Sequence, residues 1–80
     1  MLVPLYGFLQ GDTIGLLVLA EDTDTIADVA AKLQQAAAVR VAPTPRADVY
    51  YNGERLAPEL TVSQVGLEAL ERVDVIQRDA

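Results

Sequence analysis

Two apolar runs open the chain, Leu2 to Leu9 and Thr13 to Ala20, with Gln10, Gly11 and Asp12 between them. Apolar runs of this length on either side of a turn signal predict the two strands of a hairpin. Gly11 supplies the positive φ that a tight hairpin needs. With Gly11 and Asp12 as the two turn residues, Gln10 pairs with Thr13, and the register follows. Cross-strand partners share a face. One face therefore carries Leu5, Gly7, Leu9, Ile14, Leu16 and Val18, and the other carries Pro4, Tyr6, Phe8, Gly15, Leu17 and Leu19. An antiparallel pair with one face in water alternates apolar and polar residues. This hairpin is apolar on both faces, so something must cover each of them.

The period changes from two to 3.6 between residues 21 and 39. Ile26, Val29, Ala30, Leu33 and Ala37 recur at i, i+3, i+4, i+7 and i+11, one face of a helix. Lys32, Gln34 and Gln35 fall on the face turned to solvent. Thr25 is an N-cap residue, and Asp28 three positions on completes a capping box. Glu21, Asp22 and Asp24 complement the positive end of the helix dipole, and Arg40 its negative end. Pro43 and Pro45 stop the helix from continuing.

Asp48 to Tyr51 is a β-rich segment, and Asn52-Gly53 is a strong turn signal into a short arm at Glu54 to Leu56. Thr61 caps one helical turn, Val62 to Val65, which Gly66 ends. Arg72 to Ile76 alternates as a closing strand. The order is ββαββ, short helix, β. One helix covers only one face of such a sheet, which defines a two-layer α+β fold, the ubiquitin-like β-grasp with a mixed sheet.

Eighty residues form a single domain over 1–80. A core is marginal at this size, and 51% hydrophobic content compensates. The chain has no cysteine and no histidine, which removes disulfides, thiolate chemistry, and the commonest general base and metal ligand. No run approaches the roughly 20 apolar residues of a membrane span, and the N-terminus lacks the basic region of a signal peptide. A cytoplasmic protein is expected. The net charge is −6 and Lys32 is the lone lysine. Phosphate-binding surfaces cluster Lys and Arg, so nucleic acid is not an expected partner.

Little in the chain carries chemistry. Glu21, Asp22, Asp24 and Asp28 lack the ligand spacing and central glycine of a calcium loop, and helix capping accounts for them. Ser63 has no histidine to activate it. Gly7, Gly11 and Gly15 lie in a hairpin, not in the strand-to-helix turn of a phosphate-binding fingerprint. No catalytic, metal or cofactor residues are assigned. The candidate site is the outer sheet face, where Tyr6, Phe8, Leu17 and Leu19 are joined by Tyr50 and Ile76 if Val49, Tyr51, Val73 and Val75 point to the helix. An aromatic-rich patch of that size marks a partner interface. A hairpin shifted by one residue, or cover by the 40–47 loop, would remove it. Arg40 and Arg46 flank that loop, and Arg40 is a candidate contact to an acidic partner.

Two resemblances follow from particular residues. Asp24 to Lys32, and Asn52 to Leu56 with Thr61 and Val62, resemble the helix entry and the later turn of ubiquitin-like proteins. Modifiers and sulfur carriers of that fold end in Gly-Gly, whereas this chain ends in Asp79 and Ala80, so no conjugation is expected. Over nearly its whole length the chain resembles the small gamma (B) subunit of the hydroxylase in bacterial multicomponent diiron monooxygenases of the toluene, alkene and isoprene type. The matching residues are Pro4 and Asp12, Leu17 to Leu19, Asp24 to Ile26 with Val29 and Ala30, Val39 to Pro43, Val62 and Ser63 with Gly66 and Leu67, and Glu71 with Asp74 to Ile76. Val49 to Tyr51 depart from the basic third strand common in that family, so an alkene or isoprene system fits as well as an aromatic one. The resemblance implies a non-catalytic structural subunit in a hetero-oligomer with the alpha and beta subunits, the diiron site lying in alpha. The alternatives are a ubiquitin-like accessory protein of a secretion system, or a ubiquitin-like modifier.

Overall fold

The computed structural model describes residues 1–78; the chain end at Asp79 and Ala80 lies outside the described residues. Strands β1 (Leu2–Leu9) and β2 (Gly15–Glu21) form the hairpin, followed by helix α1 (Ile26–Ala36), β3 (Ala47–Tyr51), β4 (Glu54–Arg55), the single turn α2 (Val62–Val65) and β5 (Arg72–Gln77). The sheet order is β2-β1-β5-β3-β4. β1 and β5 run parallel at its centre, and the other pairs are antiparallel. This is the expected β-grasp.

The hairpin keeps the expected register, with Tyr6 opposite Leu17 and Phe8 opposite Gly15. Its turn is wider than two residues. The Asp12 N–H donates to the Leu9 carbonyl at 2.9 Å, and Gly11 takes φ +90° at the second central position, where a type II turn requires it. The chain then loops through Thr13 and Ile14 before β2 begins. Ile14, expected on the inner face, is instead 48% exposed, because the ladder ends before it. Asn52 and Gly53 both have positive φ, as a type I′ hairpin turn demands.

Inner-face residues Leu5, Val49, Val73 and Val75 meet Ile26, Val29 and Leu33 of α1, all essentially inaccessible to water. The helix lies close because Gly7 has no side chain. A Cβ at that position would stand 2.8 Å from a Leu33 methyl.

Both helix starts fold as their caps dictate. Thr25 accepts from the Asp28 N–H at 3.1 Å and Asp28 accepts from the Thr25 N–H at 3.0 Å. Thr61 and Gln64 make the same reciprocal pair. The two N-termini also lie side by side. Ile26 donates to the Leu60 carbonyl and Val62 to the Asp24 carbonyl, at 2.8 and 2.9 Å. Each helix thereby satisfies amide groups that the other leaves without an intrahelical partner.

Two expectations for α1 change. The helix ends at Ala36, with Ala37 as its C-cap and no basic residue in its last turn, so Arg40 does not complement the dipole. Gln34 is buried, not exposed. Its side chain accepts from the Thr44 N–H at 2.7 Å and from the Gln77 amide at 2.8 Å, and Gln77 also donates to the Ala42 carbonyl. These bonds bind the 40–47 loop to the helix side of the sheet and away from the outer face.

Replacing the cap, Thr25→Ala, is expected to cost about 1 kcal/mol. Urea unfolding would show it as a lower midpoint at an unchanged slope.

Candidate docking surface

Alternation along β1 and β2 sends every second side chain away from α1. Leu2, Pro4, Tyr6 and Phe8 on β1 stand beside Leu17 and Leu19 on β2, with Leu2, Tyr6, Leu17 and Leu19 between 46% and 57% exposed. Large apolar side chains are rarely gathered so openly on a monomer unless a partner covers them. The inward half of the expectation also holds, with Val49, Val73 and Val75 buried and Tyr51 half-buried against the core.

Phe8 is held in place from two sides. Its ring lies over Gly15, where an added Cβ would come within 2.6 Å of it. The Arg72 guanidinium stacks on the ring at 4.1 Å from its centroid, a cation–π contact. Arg72 also bonds Asp74 at 3.0 Å. Tyr6 pairs with Arg72 and Phe8 with Asp74 across the parallel β1–β5 ladder.

Those pairings alter the expected patch. Tyr50 and Ile76 do face outward, but Asp74 stands between Tyr50 and Phe8, and Ile76, one step further along β5, lies by Gln10 and not by an apolar residue of the hairpin. The apolar surface is therefore confined to β1 and β2. Beside the charged pair of Arg72 and Asp74, Phe8, Tyr50, Asp74 and Ile76 border an open cleft of about 460 Å³. Asp48, next to Ile76 in the β3–β5 ladder, is bridged by Arg55 and Arg78 at 3.2 and 3.0 Å. Arg72 and Leu2 are two outer-face residues absent from the expected patch, although the sequence carries a signal for each: Arg72 is offset by two residues from Asp74 on β5, and Leu2 shares the parity of Tyr6 on β1.

Arg40 sits apart from this face. Its guanidinium donates to both carboxylate oxygens of Asp12, Nε to Oδ1 at 3.0 Å and Nη2 to Oδ2 at 2.9 Å. It thereby ties the segment after α1 to the hairpin turn. The acidic residues near α1 are occupied locally. Glu21 and Asp22 bond the N-terminal amine at 3.2 and 3.1 Å, Asp24 bonds Lys32, and Asp28 serves the cap. Glu71 accepts from the Tyr51 hydroxyl at 2.8 Å and from the Glu68 N–H at 3.1 Å, which pins the loop leading into β5.

Sheet order and helix placement define a ubiquitin-like β-grasp module, and its first hairpin presents an apolar surface on the side opposite α1. The model of the toluene-4-monooxygenase system protein B (TmoB) family matches residues 2–76, and the chain belongs to that family. It is a small, non-catalytic subunit of a monooxygenase system. No curated protein matches the sequence. Among solved structures, a chain of the toluene 4-monooxygenase HD complex with the inhibitor 4-bromobenzoate superposes at a TM-score of 0.88 with 24% identity, over 98% of this chain and all of that one. A Caldiarchaeum subterraneum ubiquitin gives 0.78 at 16% identity, over 100% and 98% of the two chains. A ubiquitin-like domain from Arabidopsis thaliana gives 0.75 at 18%, over 99% and 80%. At these identities the superpositions speak for the fold alone.

The Arg40 hydrogen bonds hold the Asp12 carboxyl below its usual pKa, against the opposing effect of burial. A pKa lower in the folded state than in the unfolded state gives stability that is full above the unfolded value of about 4 and is lost as pH falls through the folded value. Asp12→Asn is therefore expected to lower the thermal midpoint near neutral pH. Its difference from wild type should shrink as pH falls below about 4, in melts recorded across an acid series.

Proposed function

We propose that the protein is the structural gamma subunit of a diiron hydroxylase, docked on the large catalytic alpha subunit through the outer face of its first hairpin. The observation that carries this is the apolar surface of Leu2, Tyr6, Leu17 and Leu19, left open on the side of the sheet opposite α1. Membership of the TmoB family supports the assignment to a monooxygenase. The solved toluene 4-monooxygenase complex, which contains a chain of this fold, supports a hetero-oligomer.

In this reading the subunit works by burial. Apolar area removed from water contributes about 25 cal/mol per Å², offset by the cost of association. Tyr6 and Phe8 are the anchors, since aromatic side chains dominate interface energetics. Arg72, stacked on Phe8, fixes one anchor before binding. Arg40 holds the hairpin tip through Asp12 and so positions the face. The Tyr50 and Ile76 cleft forms the margin of the docked area. The diiron site and the substrate pocket belong to alpha, and this chain brings no ligand to either. The hydrocarbon oxidised, whether aromatic, alkene or isoprene, is accordingly set in the partner. Among the described residues no helix is long and apolar enough to cross a membrane, and a cytoplasmic complex is proposed.

Tyr6→Asp and Leu17→Asp place a charge on the outer face without touching the core. Each is expected to leave the thermal midpoint of the isolated chain within about 1 °C to 4 °C of wild type, while co-purification with the alpha and beta subunits is lost. Normal assembly of both folded variants would overturn the proposed face.

A further inference from the structure

We propose that an extended segment of the alpha subunit adds to the open edge of β2 as a sixth strand, pairing with the backbone of Gly15 and Leu17 and ending beside Leu19. This rests on the docking proposed above and specifies its chemistry.

The pairing pattern identifies which backbone groups are free. In an antiparallel ladder, residues opposite one another alternately bond each other or turn both groups away. On β1, the Pro4 carbonyl accepts from Leu70 at 2.6 Å and the Tyr6 N–H donates to Glu71 at 3.0 Å, both on the β5 side. Even-numbered residues of β1 therefore face β5, and their partners in β2 face outward. Pro4, which has no N–H, sits where β1 needs none toward β2. The other end of β2 agrees. The Leu19 carbonyl accepts from Lys32 Nζ at 3.2 Å, and the Glu21 N–H donates to Asp24 at 2.9 Å. Both groups point away from β1.

Among the described residues, nothing bonds the outward N–H and C=O groups of Gly15 and Leu17 or the N–H of Leu19, along about 13 Å of edge. The fold treats its two edges differently. β4 is two residues long and both are charged, a common protection against strand addition. β2 is seven residues long and is closed only at its far end, by Lys32 and Asp24. An added strand would extend the row from Tyr6 through Leu17, so its side chains on that side must be apolar. Edge and face then form one continuous interface.

Lys32 disfavours one pairing with a second copy of this chain, the two-fold one centred on Leu17, in which Gly15 would donate to the Leu19 carbonyl that Lys32 already engages. A two-fold pairing centred on Leu16 would leave that carbonyl out, so the choice of the alpha subunit rests on the continuity of this edge with the proposed docking face.

The test uses the full chain, alone and assembled with co-expressed alpha subunit, and reads hydrogen exchange over residues 13–21. The amides of Gly15, Leu17 and Leu19 should exchange quickly alone and slow about 100-fold or more on assembly. Leu17→Pro should weaken assembly at least about tenfold beyond Leu17→Ala, because both lose the side chain but only proline loses the outward N–H. Both variants should melt alike in isolation. Assembly with unprotected edge amides and equal effects of the two variants would overturn the edge pairing and leave face docking intact. No assembly with alpha at all would overturn both. Edge protection that rises with the concentration of this chain alone would assign the edge to a second copy and overturn the inference.

Discussion

Leu33 rests against Gly7 at the middle of the protein, and much of the structure depends on that contact. With no Cβ on Gly7, α1 settles close to the central strand. Ile26, Val29 and Leu33 can then reach strands β1, β3 and β5 together. Close packing of this kind is what gives a small core its stability. It also commits the one long helix to one side of the sheet. The other side has no element of the chain to cover it.

The polar interactions reinforce that division. The paired starts of α1 and α2 anchor the segment around Thr61 beside Thr25. Gln34, Thr44 and Gln77 draw the proline-containing loop to the helix side. Arg40 and Asp12 hold the hairpin tip to the segment that follows α1. Each of these contacts keeps a connection away from the outer face of β1 and β2. The connections are thereby restrained, and the apolar outer face stays accessible.

Much of this was legible in local patterns. Thr25 with Asp28, Thr61 with Gln64, Gly66 after α2, and Asn52-Gly53 are short-range signals, since each bond or φ value lies within four residues. The hairpin register was legible too, because a slip by one residue would exchange its two faces. Failures came where distant segments meet. Gln34 looked like a solvent residue until Thr44 and Gln77 gave it partners. Arg40 looked like a helix-end charge, but its partner is 28 residues away in the hairpin. The parallel β1–β5 pairing put Arg72 and Asp74 beside Tyr6 and Phe8, and no periodicity within one strand could reveal that neighbour.

Propensity and periodicity act over a few residues, so the elements, their caps and the two-sided apolar character of the first hairpin could be read from the residues alone. From these came the β-grasp and the expectation of a covering partner. The extent of that surface depended on how the strands closed into one sheet. The strand order set a charged ridge beside the hairpin and narrowed the apolar face to β1 and β2. It also left β2 at the edge, closed at its far end by Lys32 and Asp24 and open along Gly15 and Leu17. Neighbours across a sheet are set by how the whole chain closes, and closure is a property of the packed core.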